Sequence, residues 1–579
     1  MKKVKLDRVP SVEVYNSILF GQVLLESLYS NTIDSHKAPS TNIHSNVREL
    51  ISIFNGIRKG TIHESAINAV FSEISTRILT QDWVKALNIC ELQMLHECIK
   101  GKKSHDAIYA QALIASSFLE KNLFSLLKKS IVDNIYTENS NIVVSLAMDF
   151  AIEAENCGYH RTYTYFAALN SIFVRRVTVD PVSVLESFFD RFDGSEGDFT
   201  YYFAAPDSYL ELGNVPGRMS VVALSEMPHD VLSFTVDKFI PRVKSPDVYV
   251  QVGGIEAKDA YFGRLTALEF VGLFCDFYSL YTHSELSQVD GTCVCKNEVT
   301  GEVRMLLQAP DPDNISLLRS ATDGFSYIGN IDSRRNDIII PFMKAIKLHR
   351  ISQETHSVPI KFTTLWTAVE AFLPKPKGGK SKIEEYVQNV CSLLSLMYAK
   401  KVLTYNSDFF KKSCSDVCDA IAFKLGADRY GLDAFAKFIC CEEYGDLRDS
   451  VSYCVSDYPI VRYKIKILNN KFGSPKKILE TISEHKERLG IHLQRIYISR
   501  NYITHDADEQ RYLFTLTTNL HSYLDEILAY TLKTAHEMEN IDTRSDLFGV
   551  AAAKQRTYEK MLSGIKMCTV DNYKTVLNL

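Results

Sequence analysis

Apolar residues recur at steps of three and four along most of this chain, and at steps of two only in its middle third. From about 12 to 175, segments such as SAINAVFSEISTRI and YAQALIASSFLEKNLFSLLKKSI carry the helical rhythm, while NTIDSHKAPSTNIHSN is polar and reads as a loop. In the middle third DVYVQVGG (Asp247 to Gly254) alternates like a strand, and FTYYF (Phe199 to Phe203) is a second strand candidate. GTCVCKNEVTGEVRMLLQ reads as two short strands joined by a turn near Asn297 to Gly301, and APDPDN (Ala309 to Asn314) marks a loop. From about 338 onward the helical pattern is at its most regular. Ile383, Tyr386, Val390, Leu393 and Met397 keep a three-four rhythm, as do Leu513, Leu516, Leu520, Tyr523 and Ile527.

These patterns predict a multidomain, mainly α protein with a mixed α/β middle region and a C-terminal antiparallel helical bundle. The expected regions are 1–175 (helical), 176–330 (mixed) and 331–579 (bundle), the last with an insertion at 401–474 and a tail at 536–579. The bundle needs four amphipathic helices, at about 338–356, 361–400 with a break at Pro374, 476–503 and 509–535.

Composition adds constraints. At 579 residues the chain is too long for one core. A net charge of -5 supplies no global attraction for nucleic acid or anionic membrane, so polyanion binding has to be local. The N-terminus lacks the apolar stretch and small-residue cleavage site of a secretory signal, and no run reaches the roughly 18 apolar residues of a membrane span. Thirteen cysteines without framework spacing suggest reduced thiols. The expectation is a cytoplasmic protein without a membrane partner.

One helix departs from its own pattern. The seam of the third bundle helix runs Leu489, Leu493, Ile496, Arg500, Ile503, so an arginine stands where the rhythm asks for leucine. A guanidinium turned towards a core requires an anion. Glu370, on the apolar face made by Phe362, Trp366, Val369 and Leu373, is a candidate partner. Two readings stand open: Glu370 and Arg500 satisfy each other as a structural pair, or Glu370 orients Arg500 towards a phosphate. His505 lies five residues on, about 140° round an unbroken helix from Arg500. Asp506, with Glu509 three residues later, has capping-box spacing, so a break there would leave His505 just ahead of a new helix and free to turn back. That helix N-terminus disfavours an imidazolium, whereas Asp506 and Asp508 favour one. RKGTIH (Arg58 to His63) repeats the arginine–histidine spacing without a seam around it and reads as coincidence.

Other stretches say less. PKPKGGKSK (Pro374 to Lys382) has Pro374 where a phosphate-binding loop needs glycine and follows a helix rather than a strand, so it reads as a basic inter-helix loop. YPIVRYKIKILNNKFGSPKK holds Arg462, Lys464, Lys466, Lys471, Lys476 and Lys477 with three aromatics and no acid: a solvated face, or a local RNA-tracking surface leading into the third bundle helix. Cys414, Cys418, Cys440, Cys441 and Cys454 lack a zinc spacing.

RNYITH (Arg500 to His505) resembles the R-x4-6-H motif of the HEPN superfamily, where a polar residue commonly follows the arginine. Together with LWTAVEAFL and SKIEEYVQNVCSLLSLMY it is similar to the Apea-like HEPN group, which includes proteins of abortive-infection defence against phage. The resemblance spans roughly 338–535. It implies a HEPN-type bundle and an endoribonuclease that needs no metal or cofactor and works as a homodimer, the motifs of two protomers facing each other. It also implies a toxic effector that acts on tRNA or another cellular RNA, with a phage-derived trigger. On this resemblance Arg500 binds the scissile phosphate, His505 is general acid or base, and Asn501 holds the phosphate or the histidine. The alternative is a non-catalytic HEPN module for RNA or protein binding, one half of a toxin–antitoxin pair among the options.

Overall fold

The computed structural model describes residues 11–28, 41–174, 180–212, 214–215, 219–234, 248–284, 286, 289, 291–307, 336–355, 357–375, 382–505, 512–538 and 541–579. APDPDN, Asp506 and Glu509 lie outside them. The chain divides into two compact units: residues 1–152, 176–181 and 312–579 form one, and 153–175 with 182–311 the other. The first 152 residues therefore group with residues 312–579, whereas the sequence pattern sets 1–175 apart as its own region.

Within the first unit, the N-terminal part consists of helices: α1 (Val12–Ser27), α2 (Ile43–Lys59), α3 (Ile67–Thr80), α4 (Asp82–Leu87), α5 (Cys90–Lys100), α6 (His105–Asn134) and α7 (Ser140–Asn156). Asn42 caps α2, its side chain accepting from the Ser45 amide at 2.9 Å. The second unit opens with α8 (Arg161–Ala168), continued by a π-helical turn over Leu169–Phe173, then α9 (Pro181–Phe189). Its centre is a six-stranded antiparallel sheet, β1 (Gly197–Ala205), β2 (Asn214–Val215), β3 (Ser220–Leu224), β4 (Val248–Ala257), β5 (Cys293–Asn297) and β6 (Val303–Leu306), ordered β2-β3-β4-β1-β5-β6. The expected strands are all present, as is the turn: Asn297 accepts from the Gly301 amide at 2.8 Å, and Gly301 takes φ 70°. Alternation along β1 sends Tyr201 and Phe203 to one face and Tyr202 to the other. The first face packs with Ala260, Ala267 and Val271 of α11 (Ala260–Thr282), and the second with Val231 of α10 (His229–Phe234).

The rest of the first unit is helical. The four expected bundle helices are α12 (Asn336–Glu354), α13 (Val358–Phe372) with α14 (Lys382–Ser413), α19 (Pro475–His505) and α20 (Leu513–Glu537). Pro374 ends the second of them, as the sequence suggests, and the long α14 continues beyond 400 into the expected insertion. That insertion adds α15 (Ser415–Lys424), α16 (Leu432–Cys440), α17 (Gly445–Cys454) and α18 (Pro459–Phe472). The tail holds α21 (Arg544–Gly564), started by a Thr543–Asp546 capping box, and the short α22 (Tyr573–Leu577). Leu365, Trp366, Val369, Val390, Leu393, Leu489, Leu493, Ile496, Leu516 and Leu520 share one buried core, so the seams read from the sequence are the seams that pack. None of the described helices is long and apolar enough to cross a membrane.

Candidate functional site on the helix of the Arg500 motif

The motif occupies the last turns of α19. Its helical backbone continues through His505, and the next described helix begins at Leu513 with Tyr512 at its N-cap position. The helix therefore has no break before the histidine, and the expected capping box at Asp506 and Glu509 lies outside the described residues. Five residues of continuous helix separate the Arg500 and His505 positions by about 140° round the axis and about 7.5 Å along it.

Arg500 itself is half-buried rather than sealed in the core. Its guanidinium donates to Asn501 Oδ1 at 3.1 Å, and Asn501 is buried at 8% exposure. The backbone oxygen of Arg500 accepts from Thr504 Oγ1 at 2.8 Å. The pairing with Glu370 does not form. Glu370 is taken by Lys382, whose Nζ stands 3.0 Å from Oε1. Lys382 closes the basic loop after Pro374, and at 50% exposure its flexible stem reaches this carboxylate. Among the described residues no carboxylate pairs with Arg500.

The buried arginine of this helix is Arg495, five residues earlier. Its Nε donates to both Glu49 oxygens, at 2.9 and 3.0 Å, and Nη2 bonds Glu73 Oε2. Arg495 and Glu49 are each only 3% exposed. Glu73 also meets Arg77 Nη2 at 3.3 Å, and Arg77 Nη1 lies 3.8 Å from Asp149, which accepts from Trp83 Nε1 at 3.0 Å. Burial alone would raise the Glu73 carboxyl, but Arg495 and Arg77 hold it down at about 2. Burial pushes Glu49 the other way, upward, against the pull of Arg495. Sequence reasoning passed over Arg495 because it sits between Leu493 and Ile496, off the counted seam, and its partners are 446 and 422 residues away. The network fixes α19 against α2 and α3, so the N-terminal helices hold the helix that carries the motif.

The basic stretch before α19 splits in two. Lys464 is not available to a polyanion: it is buried, its Nζ lies 2.8 Å from Glu26 and 3.1 Å from Asn406 Oδ1, and it sits over the Phe409 ring. Lys471 is partly buried, and burial, with Arg488 nearby, lowers it to about 8. Arg462, Lys466, Lys476 and Lys477 are exposed. The helical period explains the division, because α18 turns every third or fourth residue inward.

The insertion cysteines behave as packing groups: Cys414, Cys418, Cys440 and Cys441 are buried, and Cys454 is exposed. A cavity of about 270 Å³ in the second unit is lined by Tyr163, Phe166, Asn170, Arg191, Tyr261 and Arg304, beside the π-helical turn. Arg304 there is held by Glu302, Nε to Oε1 at 2.6 Å. Compared with family models, curated proteins and solved structures, the chain matches none.

Proposed function

We propose that this chain is a metal-independent endoribonuclease of the HEPN type, a toxic effector of anti-phage defence that uses Arg500, Asn501 and His505. One observation carries the reading. Among the arginines of this helix, Arg495 is consumed by carboxylates, whereas Arg500 is oriented by a neutral amide and has no carboxylate partner among the described residues. Such a guanidinium keeps its charge for an external anion.

In this reading Arg500 stabilises the charge that develops on the phosphorane. A histidine removes the 2′-OH proton, and the oxygen attacks phosphorus as the bond to the 5′-oxygen breaks. A second histidine protonates that oxygen, leaving a 2′,3′-cyclic phosphate and a free 5′-hydroxyl. Each chain offers one His505, so two protomers supply acid and base. The separation of the Arg500 and His505 positions round α19 supports the same arrangement, since a site shared by two copies does not need both side chains on one face. Asn501 serves as a positioning residue for Arg500 rather than a ligand of the histidine. Exposed Arg462, Lys466, Lys476 and Lys477 extend the RNA path.

Toxicity on expression tests the effector role. Wild type should arrest growth and Arg500→Ala and His505→Ala should not, at equal soluble levels; equal toxicity of all three would sink the proposal. A strict monomer that still cleaves RNA would remove the two-protomer site. The unbroken helix also favours a second reading, an RNA-binding module without chemistry, which predicts RNA affinity that falls in Arg500→Ala while no RNA is cleaved by wild type.

A further inference from the structure

Helices α12 and α20 each present a pair of polar side chains four residues apart, and the two pairs converge. His349 and Gln353 come from α12, His521 and Asp525 from α20. His349 Nε2 lies 2.7 Å from His521 Nε2 and 3.1 Å from Asp525 Oδ1. His521 Nε2 lies 3.6 Å from Asp525 Oδ2, and the Gln353 amide nitrogen is 3.3 Å from His521 Nε2. One ligating atom from each of His349, His521 and Asp525 falls within 4.8 Å of the others.

Hydrogen bonding alone serves this cluster poorly. An imidazole nitrogen has one direction, either an N–H or a lone pair. His349 Nε2 faces a second Nε2 and a carboxylate oxygen together, so a proton shared with one leaves the other badly aimed. If both nitrogens carry protons, two N–H groups oppose each other. A single cation at the centre accepts both lone pairs and the carboxylate. The dimensions agree: zinc bonds of about 2.0–2.1 Å in a tetrahedron put ligand atoms about 3.3 Å apart. The His349–His521 and His349–Asp525 Oδ1 separations, 2.7 and 3.1 Å, fall just short of that value, His521 meets the other carboxylate oxygen, Oδ2, at 3.6 Å, and about half an ångström of movement between the rings admits the ion.

We infer that His349, His521 and Asp525 bind a divalent transition-metal ion of the zinc class. Two imidazoles and one carboxylate suit zinc, cobalt or nickel, whereas magnesium and calcium require mostly oxygen. The fourth position falls to water or to Gln353, whose amide, turned over, presents Oε1. His521 is 7% exposed and fixed on α20, while His349 and Asp525, at 28% and 25%, leave the ion a route in from solvent. The bound ion clamps the first helix of the bundle to the helix that follows the motif. It shares no residue with Arg500, Asn501 or His505, so it is a staple separate from the proposed chemistry.

The test uses the full-length chain stripped of metal with a chelator that is then removed, titrated calorimetrically with zinc, cobalt and magnesium chlorides. Expected are one zinc per chain at micromolar affinity or tighter, and a cobalt complex with the intense visible bands of tetrahedral coordination. Magnesium should give no heat, and zinc should raise the melting temperature by several degrees. His349→Ala and Asp525→Ala should each weaken zinc at least tenfold and abolish that rise. Both positions are partly exposed, and circular dichroism of the metal-free variants checks that they fold; His349→Gln is the milder replacement should His349→Ala not. Zinc binding to wild type that is absent, or equally tight and equally stabilising in the variants, overturns the inference.

Discussion

Replacing Arg495 by methionine tests whether the motif helix is held by its buried charges. The substitution preserves length and removes the guanidinium, so both hydrogen bonds to Glu49 and the one to Glu73 are lost. What remains is a buried carboxylate at Glu49 without a counter-charge, beside a Glu73 left with Arg77 alone. Removing one member of a buried ion pair costs about 3–5 kcal/mol, most of it the stranded charge rather than the lost attraction. For a domain of a few hundred residues, at roughly 2–4 °C per kcal/mol, that is a fall of roughly 6–20 °C in the melting temperature. Arg500→Met should shift melting by less than about 2 °C, since partly exposed positions away from such networks stay within about 0.5 kcal/mol. Adding Glu49→Gln to Arg495→Met removes the stranded charge and should recover part of the loss. The assay is thermal unfolding followed by circular dichroism, with urea unfolding as a second probe. If Arg495→Met melts like wild type, or no lower than Arg500→Met, the buried network does not hold this helix.

Three further outcomes follow. Glu73 is held near 2 in the folded chain, below its ordinary value of 4.5, so its share of stability is complete above pH 4.5 and fades as pH falls towards 2; Glu73→Gln should flatten that part of a stability–pH curve. Asn501→Ala removes the amide that aims Arg500; with bonds to charged groups worth about 1.5–3 kcal/mol, cleavage should slow roughly 10- to 150-fold when measured well below the melting temperature of the variant. Gly263→Ala would put a methyl 2.3 Å from the buried Tyr201 hydroxyl, which donates to Ala260 O at 2.9 Å. It should destabilise the second unit by about 1–3 kcal/mol, read as early loss of near-ultraviolet tyrosine signal.

The division between what the sequence discloses and what it hides follows the range of the interactions. Helix seams and strand alternation are local, so Leu489, Leu493, Ile496, Leu516 and Leu520 were found in the core where their spacing put them. Proline at 374 and the Asn297–Gly301 turn likewise act over a few residues. Charge pairing is different, because a carboxylate's partner is set by the whole fold. The seam pointed to Arg500 and Glu370, yet Lys382 captured Glu370 from the end of its own loop, and the buried arginine proved to be Arg495, facing residues more than four hundred positions away. The same limit hid Lys464, whose partner Glu26 lies in α1. His349 and His521, 172 residues apart, gave no motif for the same reason, although each has its helical companion at the fourth position.

In the proposed function Arg500 is kept for a phosphate and His505 for its proton transfers. The most direct measurement is single-turnover cleavage of a labelled RNA in the presence of chelator, by wild type and by Arg500→Ala and His505→Ala proteins with unchanged melting. Expected are products ending in a 2′,3′-cyclic phosphate and a rate loss of about 10²–10⁴-fold for His505→Ala, with a comparable loss for Arg500→Ala. Folded variants that cleave as fast as wild type would contradict it.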